Sequence, residues 1–402
     1  MSGASIVRGD ALHLPLGDGT VDLIITSPPY FALRSYQDGG EHYDGQIGSE
    51  PTPTAFLEAL WAVTAECWRV LKPSGSLFVN LGDKYAGTGG GNGQSGIGGP
   101  KVAGVVDNRT MPKDNTKQTS GLVRAKSLMG LPWRYAIGCT DGMADPEGKG
   151  WILRSEIVWS KPNALPESVR DRVRRSHEQW FHLTKNGTYY ADMDRVREPH
   201  ATVDGLRGDA GKRAGMIAVN GHRADHVTHH PLGKLPDSVW AIPTQPLIVP
   251  EWLGVDHFAA FPTEWPRRII EAWCPKDVCT ACGQGRRSTT TKRVGNPAYH
   301  IDQRDRTSVG GGPPSGGDVT YTITGEDCAC PDTSAPSTPG VVLDPFGGTG
   351  TTAMVARALG RYGVSMDLSA DYLRLARWRI FESGQAARVR DRSDAEAQGV
   401  LL

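Results

Sequence analysis

Cysteine is scarce in this chain, and the scarcity excludes a class of protein. Seven cysteines among 402 residues, odd in number and unevenly spread, do not make the disulfide framework of a small secreted domain. Long apolar runs are absent too: no stretch approaches the roughly 18 residues of a membrane span, and the opening MSGASIVRGD lacks the basic-then-apolar pattern of a secretory signal. A cytoplasmic protein with no membrane partner is expected. Nor is there an excess of charge, since 44 Lys and Arg balance 44 Asp and Glu. That balance excludes a histone-like polybasic binder, although a local basic cleft on a neutral body is still allowed. The length fits two or three domains, or one elaborated α/β domain.

What is present alternates between strand and helix patterns. VDLIIT (21–26) reads as a short buried strand. Residues 54–71 carry Phe56, Leu60, Val63, Cys67 and Val70 at helical spacing before KPSG stops them, which makes Cys67 a core residue. SLFVNL (76–81), SEIVWS (155–160) and HEQWFHLTK (177–185) read as strands, and TEWPRRIIEAW (263–273) as a helix. GVVLD (340–344), a glycine loop, the helix TTAMVARALG (351–360) and the strand YGVSMD (362–367) make one βαβ unit. This alternation predicts an α/β fold, a Rossmann-like doubly wound and mostly parallel sheet with helices on both faces.

Three segments interrupt the pattern. Residues 86–126 are too rich in Gly, Asn, Ser and Lys to bury a core, and read as a mobile insert. Residues 195–236 hold Arg195, Arg197, Arg207, Lys212, Arg213, Arg223 and Lys234 against four acids, with five histidines interspersed. They read as a solvated basic surface, because no histidine pair has a convincing ligand partner. Residues 276–338 hold two close pairs, Cys279 with Cys282 in CTACG and Cys328 with Cys330 in CAC. Paired thiolates on tight turns suit a tetrahedral zinc ion, each pair reaching it from one knuckle; four reduced thiols are the alternative. The remainder, residues 1–85, 127–194, 237–275 and 340–402, forms the core of a single domain.

Two motifs carry chemistry. In DPFGGTGTT (344–352), Gly347, Gly348 and Gly350 let the backbone approach a ligand at a helix N-terminus, where open α/β sheets bind nucleotides. Asp367 ends the next strand 23 residues after Asp344, near the spacing at which a carboxylate reaches a ribose hydroxyl. No Gly-Lys-Ser/Thr follows, which speaks against a phosphate-cradling P-loop. The second motif, TSPPY (26–30), directly follows the strand VDLII. Pro28 and Pro29 fix the backbone so that the Ser27 hydroxyl and the Pro28 carbonyl can accept the hydrogens of a planar base's amine, with the Tyr30 ring beside it. A proline turn with a surface tyrosine is the plain alternative.

On these residues the sequence resembles the S-adenosylmethionine-dependent amino-methyltransferases of DNA. TSPPY is similar to their catalytic motif, DPFGGTGTT to their cofactor loop, and GVSMDLSADYLRLARWRI to their ribose-binding strand and the helix after it. TSPPY precedes the cofactor loop and a basic region lies between them, which resembles the circularly permuted β group. Further similar segments are GDALHLPLGDGTVDLIITSPPY, WSKPNALPESVRDRVRRSHEQWFHLTKNGTYY, VWAIPTQP and HFAAFPTEWPRRIIEAW.

The resemblance implies that Ser27, Pro28, Pro29 and Tyr30 are catalytic. It implies that Asp344, Pro345, Phe346 and the loop glycines hold the methionine end of S-adenosylmethionine, and that Asp367 holds its ribose. Asp10 and Ala11 would approach the adenine, while Phe261, Pro262 and Thr263 line the same pocket. Asp10 as a simple turn residue is the alternative. Neither WCP nor CACP supplies a Pro-Cys dipeptide, so the cysteine nucleophile of carbon-5 cytosine methylation is not expected.

The resemblance implies double-stranded DNA as partner, with its target base flipped out, and a cognate restriction endonuclease is a further expected partner. Arg170, Arg172, Arg174 and Arg175 in VRDRVRRSH are candidate phosphate contacts, or simply a solvated basic face. The insert 195–236 is the expected target-recognition segment. Ser27 favours cytosine N4 as acceptor over adenine N6, since family members acting on adenine more often have Asp there. The rival classes are a protein-amide methyltransferase and a non-catalytic zinc-dependent DNA-binding protein.

Overall fold

The computed structural model describes residues 3–32, 37–38, 41–42, 46–87, 123–199, 230, 232–255, 260–294, 319–330, 332 and 334–397. The Gly-rich insert from 88 to 122 and most of the basic insert therefore lie outside the described residues.

Eight strands form the central sheet: β1 (Ala4–Arg8), β2 (Val21–Thr26), β3 (Leu71–Leu81), β4 (Ile152–Ser160), β5 (His177–Thr184), β6 (Val239–Ala241), β11 (Val341–Asp344) and β12 (Tyr362–Asp367). The numbers between belong to strands outside this sheet: β7 (Asp277–Cys279) pairs antiparallel with β10 (Ser337–Pro339), and β8 (Arg287–Val294) forms a hairpin with β9 (Val319–Asp327). The spatial order is β1-β12-β11-β2-β3-β5-β4-β6. All neighbours from β1 to β3 run parallel; β5 is antiparallel to both β3 and β4, and β6 is parallel to β4. The expected mostly parallel α/β sheet is thus present, with one reversed strand.

All six residues of β2 are buried, as befits a central parallel strand covered on both faces. On one face pack α1 (Pro53–Val70) and α2 (Leu131–Thr140); on the other lie α3 (Glu264–Trp273), α4 (Thr351–Ala358) and α6 (Gln385–Ala397). The remaining helix, α5 (Ala370–Phe381), buries Leu375, Ala376 and Ile380.

Helix α1 shows why these residues fold locally. Thr52 caps it by accepting from the Ala55 N–H at 3.1 Å, and Pro53 occupies the first turn, where its missing N–H costs nothing. Phe56, Leu60, Val63, Cys67 and Val70 fall on its buried stripe, as their spacing predicts. Leu71 ends it by turning extended and begins β3, five residues earlier than the expected strand at 76. Leu60→Ala would enlarge the void at a buried core position and cost about 2–5 kcal/mol.

Two elements in the cysteine-bearing segment carried no expectation in the sequence. The polar stretch between its cysteine pairs forms the β8–β9 hairpin, because Thr-rich and Val-containing runs favour extended backbone even without burial. Helix α2 and strands β1 and β6 carry patterns too short or too mixed to stand out in the sequence.

Candidate active site

The two motifs meet at the carboxyl ends of β2 and β11. Val342 sits opposite Leu23 and Leu343 opposite Ile24, so Thr26 and Asp344 emerge side by side. Thr26 Oγ1 donates to Asp344 Oδ1 at 2.8 Å, the Phe346 N–H donates to the same oxygen at 3.1 Å, and Thr352 Oγ1 donates to Oδ2 at 2.8 Å. Burial pushes the Asp344 carboxyl up to about 6, against the pull of these donors. At neutral pH it is therefore an anion gripped by three hydrogen bonds.

The glycine loop lies flat on β12. A Cβ at Gly347 would stand 2.1 Å from Ser365 Oγ, and Gly348 turns with φ +48° to give its N–H to Asp367 Oδ2 at 2.9 Å. Pro345 is buried and Phe346 half-buried. Gly350 then opens α4. Arg379, buried beneath the loop, donates from Nη1 to the hydroxyls of Thr349 and Thr351 at 2.7 and 2.5 Å, and from Nε to Gln385 at 3.0 Å. No carboxylate pairs with it among the described residues, and burial lowers its pKa to about 10. The sequence marked Arg379 only as the end of a helix.

Strand pairing delivers the remaining cofactor candidates. The Gly9 N–H donates to the Asp367 carbonyl at 3.1 Å, so Asp10 and Asp367 lie close together at the carboxyl ends of β1 and β12. The Asp10 side chain is 47% exposed and accepts from the Leu12 N–H at 3.0 Å, the contact of a turn residue. Ala11 beside it is buried. Phe261 packs edge-on against Trp180 at 5.8 Å on the α3 face, whereas Phe346 belongs to the α1 face. Pro262 is buried, and the Thr263 N–H and hydroxyl both donate to Gln245 Oε1, at 3.2 and 3.3 Å.

In TSPPY, Ser27 Oγ donates to Asn80 Oδ1 at 3.3 Å. The Tyr30 hydroxyl stands 2.8 Å from that same oxygen and 2.9 Å from Glu178 Oε2, both in hydrogen-bond reach of its single proton. Asn80 is oriented by donating its amide to the Gln179 carbonyl at 3.1 Å, and Glu178 is ion-paired with Lys161. Pro28 is buried and Pro29 half-buried. Gly82 makes room for the ring, since a Cβ there would stand 2.6 Å from Tyr30 Cε2. A small apolar cavity between Thr26, Pro28, Val79, Tyr135 and Phe346 lies where the motifs meet. Asn80, Glu178 and Lys161 went unnoticed in the sequence. Their signal was polarity within or beside otherwise apolar strands, and the reversal of β5 is what brings Glu178 to the TSPPY edge of the sheet.

The N6/N4 methyltransferase family model, described as DNA methylase, matches residues 21–280 and 333–377 of this chain. The chain belongs to the DNA methylase family. It is 37% identical over 274 residues to the type II methyltransferase M.Cfr9I of Citrobacter freundii, covering 68% of this chain and 73% of that one. The type II methyltransferase M.SmaI of Serratia marcescens is 29% identical over 378 residues, covering 93% and 90% of the two chains. Among solved structures, the PvuII DNA methyltransferase (cytosine-N4-specific) shares the fold at a TM-score of 0.51 and 16% identity, covering 99% of this chain and 94% of its own.

Elsewhere in this methylase the basic residues divide into two kinds. Arg172 pairs with Glu167 at 2.7 Å and lies 3.9 Å over the Tyr85 ring, while Arg175 faces Asp83 at 3.9 Å. Asp83 in turn accepts from the Gly130 and Leu131 N–H groups at the start of α2. These two arginines tie the segment to the edge of the active site. Arg170 and Arg174 are exposed and have no carboxylate partner among the described residues; Arg174 donates to the Ala164 carbonyl at 2.9 Å. In the basic insert, Arg195 pairs with Asp192 and Glu326, Arg197 with Asp194, and Lys234 with Asp237 and Glu198. The described ends of that insert are thus ion-paired inward, and Arg207, Lys212, Arg213 and Arg223 lie outside the described residues.

The sulfurs of Cys279, Cys282 and Cys328 lie within 4.8 Å of one another, with Cys330 outside that group. Cys67 is buried in the core as expected. No helix among the described residues is long and apolar enough to cross a membrane.

Proposed function

We propose that this methylase transfers a methyl group from S-adenosylmethionine to the exocyclic N4 amine of cytosine in double-stranded DNA, with the target base flipped out of the duplex. The observation that carries the reading is the Thr26–Asp344 bond, which sets the base-binding motif against the cofactor loop. The cofactor fits the residues present: Asp10 and Asp367 offer carboxylates at the cleft edge for adenine and ribose donors, and the glycine loop leaves no side chain in the way. Asp344, Pro345, Phe346, Gly347, Gly348 and Gly350 would hold the methionine end, with Phe261, Pro262 and Thr263 closing the pocket and Ala11 lying beside the adenine. When bound, the sulfonium supplies an activated methyl group on a good leaving group.

The chain's own residues prepare the acceptor. An aromatic amine is a poor nucleophile because its lone pair is delocalised into the ring. Ser27 commits its proton to Asn80, which leaves its oxygen lone pairs available for the amine hydrogens. With the Pro28 carbonyl it would favour the pyramidal nitrogen that develops as the new bond forms. The Tyr30 ring stacks on the base while its hydroxyl is anchored by Asn80 and Glu178. Direct transfer then requires alignment and no covalent enzyme intermediate.

Ser27 supports cytosine over adenine as the acceptor. Arg170 and Arg174, exposed and basic, would contact phosphates, the basic insert 195–236 would read bases, and the type II designation of the relatives supports a cognate restriction endonuclease as partner. Incubation with labelled S-adenosylmethionine and mixed-sequence DNA, followed by mass analysis of the nucleosides, tests the proposal. N4-methylcytosine is the expected product. N6-methyladenine alone would move the acceptor to adenine, and label on protein but not DNA would overturn the reading.

A further inference from the structure

The cysteine group stands apart from the methyl-transfer site. Ser337 of β10 pairs with Cys279, and seven further residues lead along extended chain to Asp344. At roughly 3.3 Å per residue this is about 20 Å, so the cysteines lie beyond the amino ends of the parallel strands, opposite the active edge.

Their geometry is that of ligands rather than of a disulfide. Cys282 Sγ and Cys328 Sγ are 3.8 Å apart. A disulfide needs about 2.05 Å, whereas sulfurs bound to one zinc ion at about 2.3 Å stand about 3.8 Å apart along a tetrahedron edge. The CxxCG turn is closed by the Gly283 N–H donating to the Cys279 carbonyl at 2.9 Å, with Gly283 at φ +69°, where only glycine sits without strain. Arg286 donates to the Ala335 carbonyl at 2.7 Å and lies close enough for its charge to act on the Cys328 and Cys279 thiols, while its buried Nε has no hydrogen-bond partner. A guanidinium in that place offsets the negative charge of a thiolate-rich metal site.

We infer that Cys279, Cys282, Cys328 and Cys330 bind one zinc ion, and that this ion staples the β8–β9 hairpin to the core. Cys330, two residues beyond Cys328 on the same turn, supplies the fourth thiolate. The hairpin needs such a staple. Its described side chains are mostly polar and exposed, none is buried, and two strands without a buried apolar face are marginal alone. Polar contacts hold one side, Ser288 to Asp192 and Glu326 to Arg195. The metal joins residues 282 and 328, just before and just after the hairpin, and so closes a 46-residue span.

Metal analysis of the full chain, purified without chelator, tests this directly. One zinc per chain is expected, and cobalt substitution should give the intense visible bands of tetrahedral thiolate coordination. Cys330→Ser should weaken zinc at least tenfold in chelator competition. Stripping the zinc should raise hydrogen exchange in 287–292 and 321–327 while leaving β2 and β11 protected. Absence of stoichiometric metal, a Cys282–Cys328 disulfide in the purified protein, unchanged chelator competition in Cys330→Ser, or unchanged hairpin exchange after stripping would each overturn the corresponding part. None of these readouts depends on methyl transfer, so they stand or fall separately from the proposed activity.

Discussion

Thr26 and Asp344, 318 positions apart in the sequence, share a 2.8 Å hydrogen bond at the carboxyl edge of the sheet. Thr26→Val keeps the shape and removes the donor, leaving a buried carboxylate oxygen with only the Phe346 N–H. The loss of a charge-assisted bond of this kind costs about 1–3 kcal/mol. Cofactor binding measured by calorimetry should weaken by about tenfold or more; wild-type affinity would show that the bond does not shape the pocket.

The Asp344 carboxyl titrates near pH 6 because burial raises it from its ordinary 3.8. A raised acid stabilises the fold most when protonated, so its contribution is present in acid and is lost as pH rises through about 6. Cofactor binding runs the other way if the anion is the binding form. Affinity for S-adenosylmethionine should fall as pH drops through about 6, and Asp344→Asn should bind weakly with a flat profile over that range. A wild-type profile flat across pH 6 would contradict this assignment.

Ser27→Ala should lower the single-turnover rate by about a hundredfold, the scale of removing one group that polarises the transition state, with cofactor affinity unchanged. Gly82→Ala acts on the neighbouring ring: it drives a methyl into Tyr30 and should slow transfer by about tenfold, again without weakening the cofactor. Loss of cofactor binding in either variant would show that the two motifs do not divide the labour in this way.

Arg170→Ala and Arg174→Ala should each weaken DNA binding and lower the salt slope by about one, the signature of a lost phosphate contact. Arg172→Ala should instead lower the melting temperature, because it removes the Glu167 pair and the Tyr85 stack. Filter-binding titrations at several salt concentrations, set beside thermal melts, distinguish the two kinds of arginine.

Strand β2, helix α1 and the β11-α4-β12 unit were legible because apolar spacing and glycine placement act within a few residues. The reversal of β5 was not, since HEQWFHLT shows the same apolar core whichever way it runs. The hairpin was missed because RSTTTKRV looks like solvated coil by polarity while its β-branched threonines favour extended backbone. Of the candidate site, the residues on the motifs themselves, Ser27, Asp344, Gly348 and Asp367, could be named from the sequence. It did not show the supports, Asn80, Glu178 and Arg379, whose roles arise only when distant strands and helices are brought together.

The pairing of Val342 with Leu23 also governs how the molecule is made. A ribosome releases β2, α1 and β3 long before β11, so one backbone edge of β2 stays open through most of synthesis. An open edge on a largely apolar strand is a template for wrong partners, and closing so long a loop is entropically slow. Truncation before Val341 would therefore leave the middle strand of the sheet without its parallel neighbour.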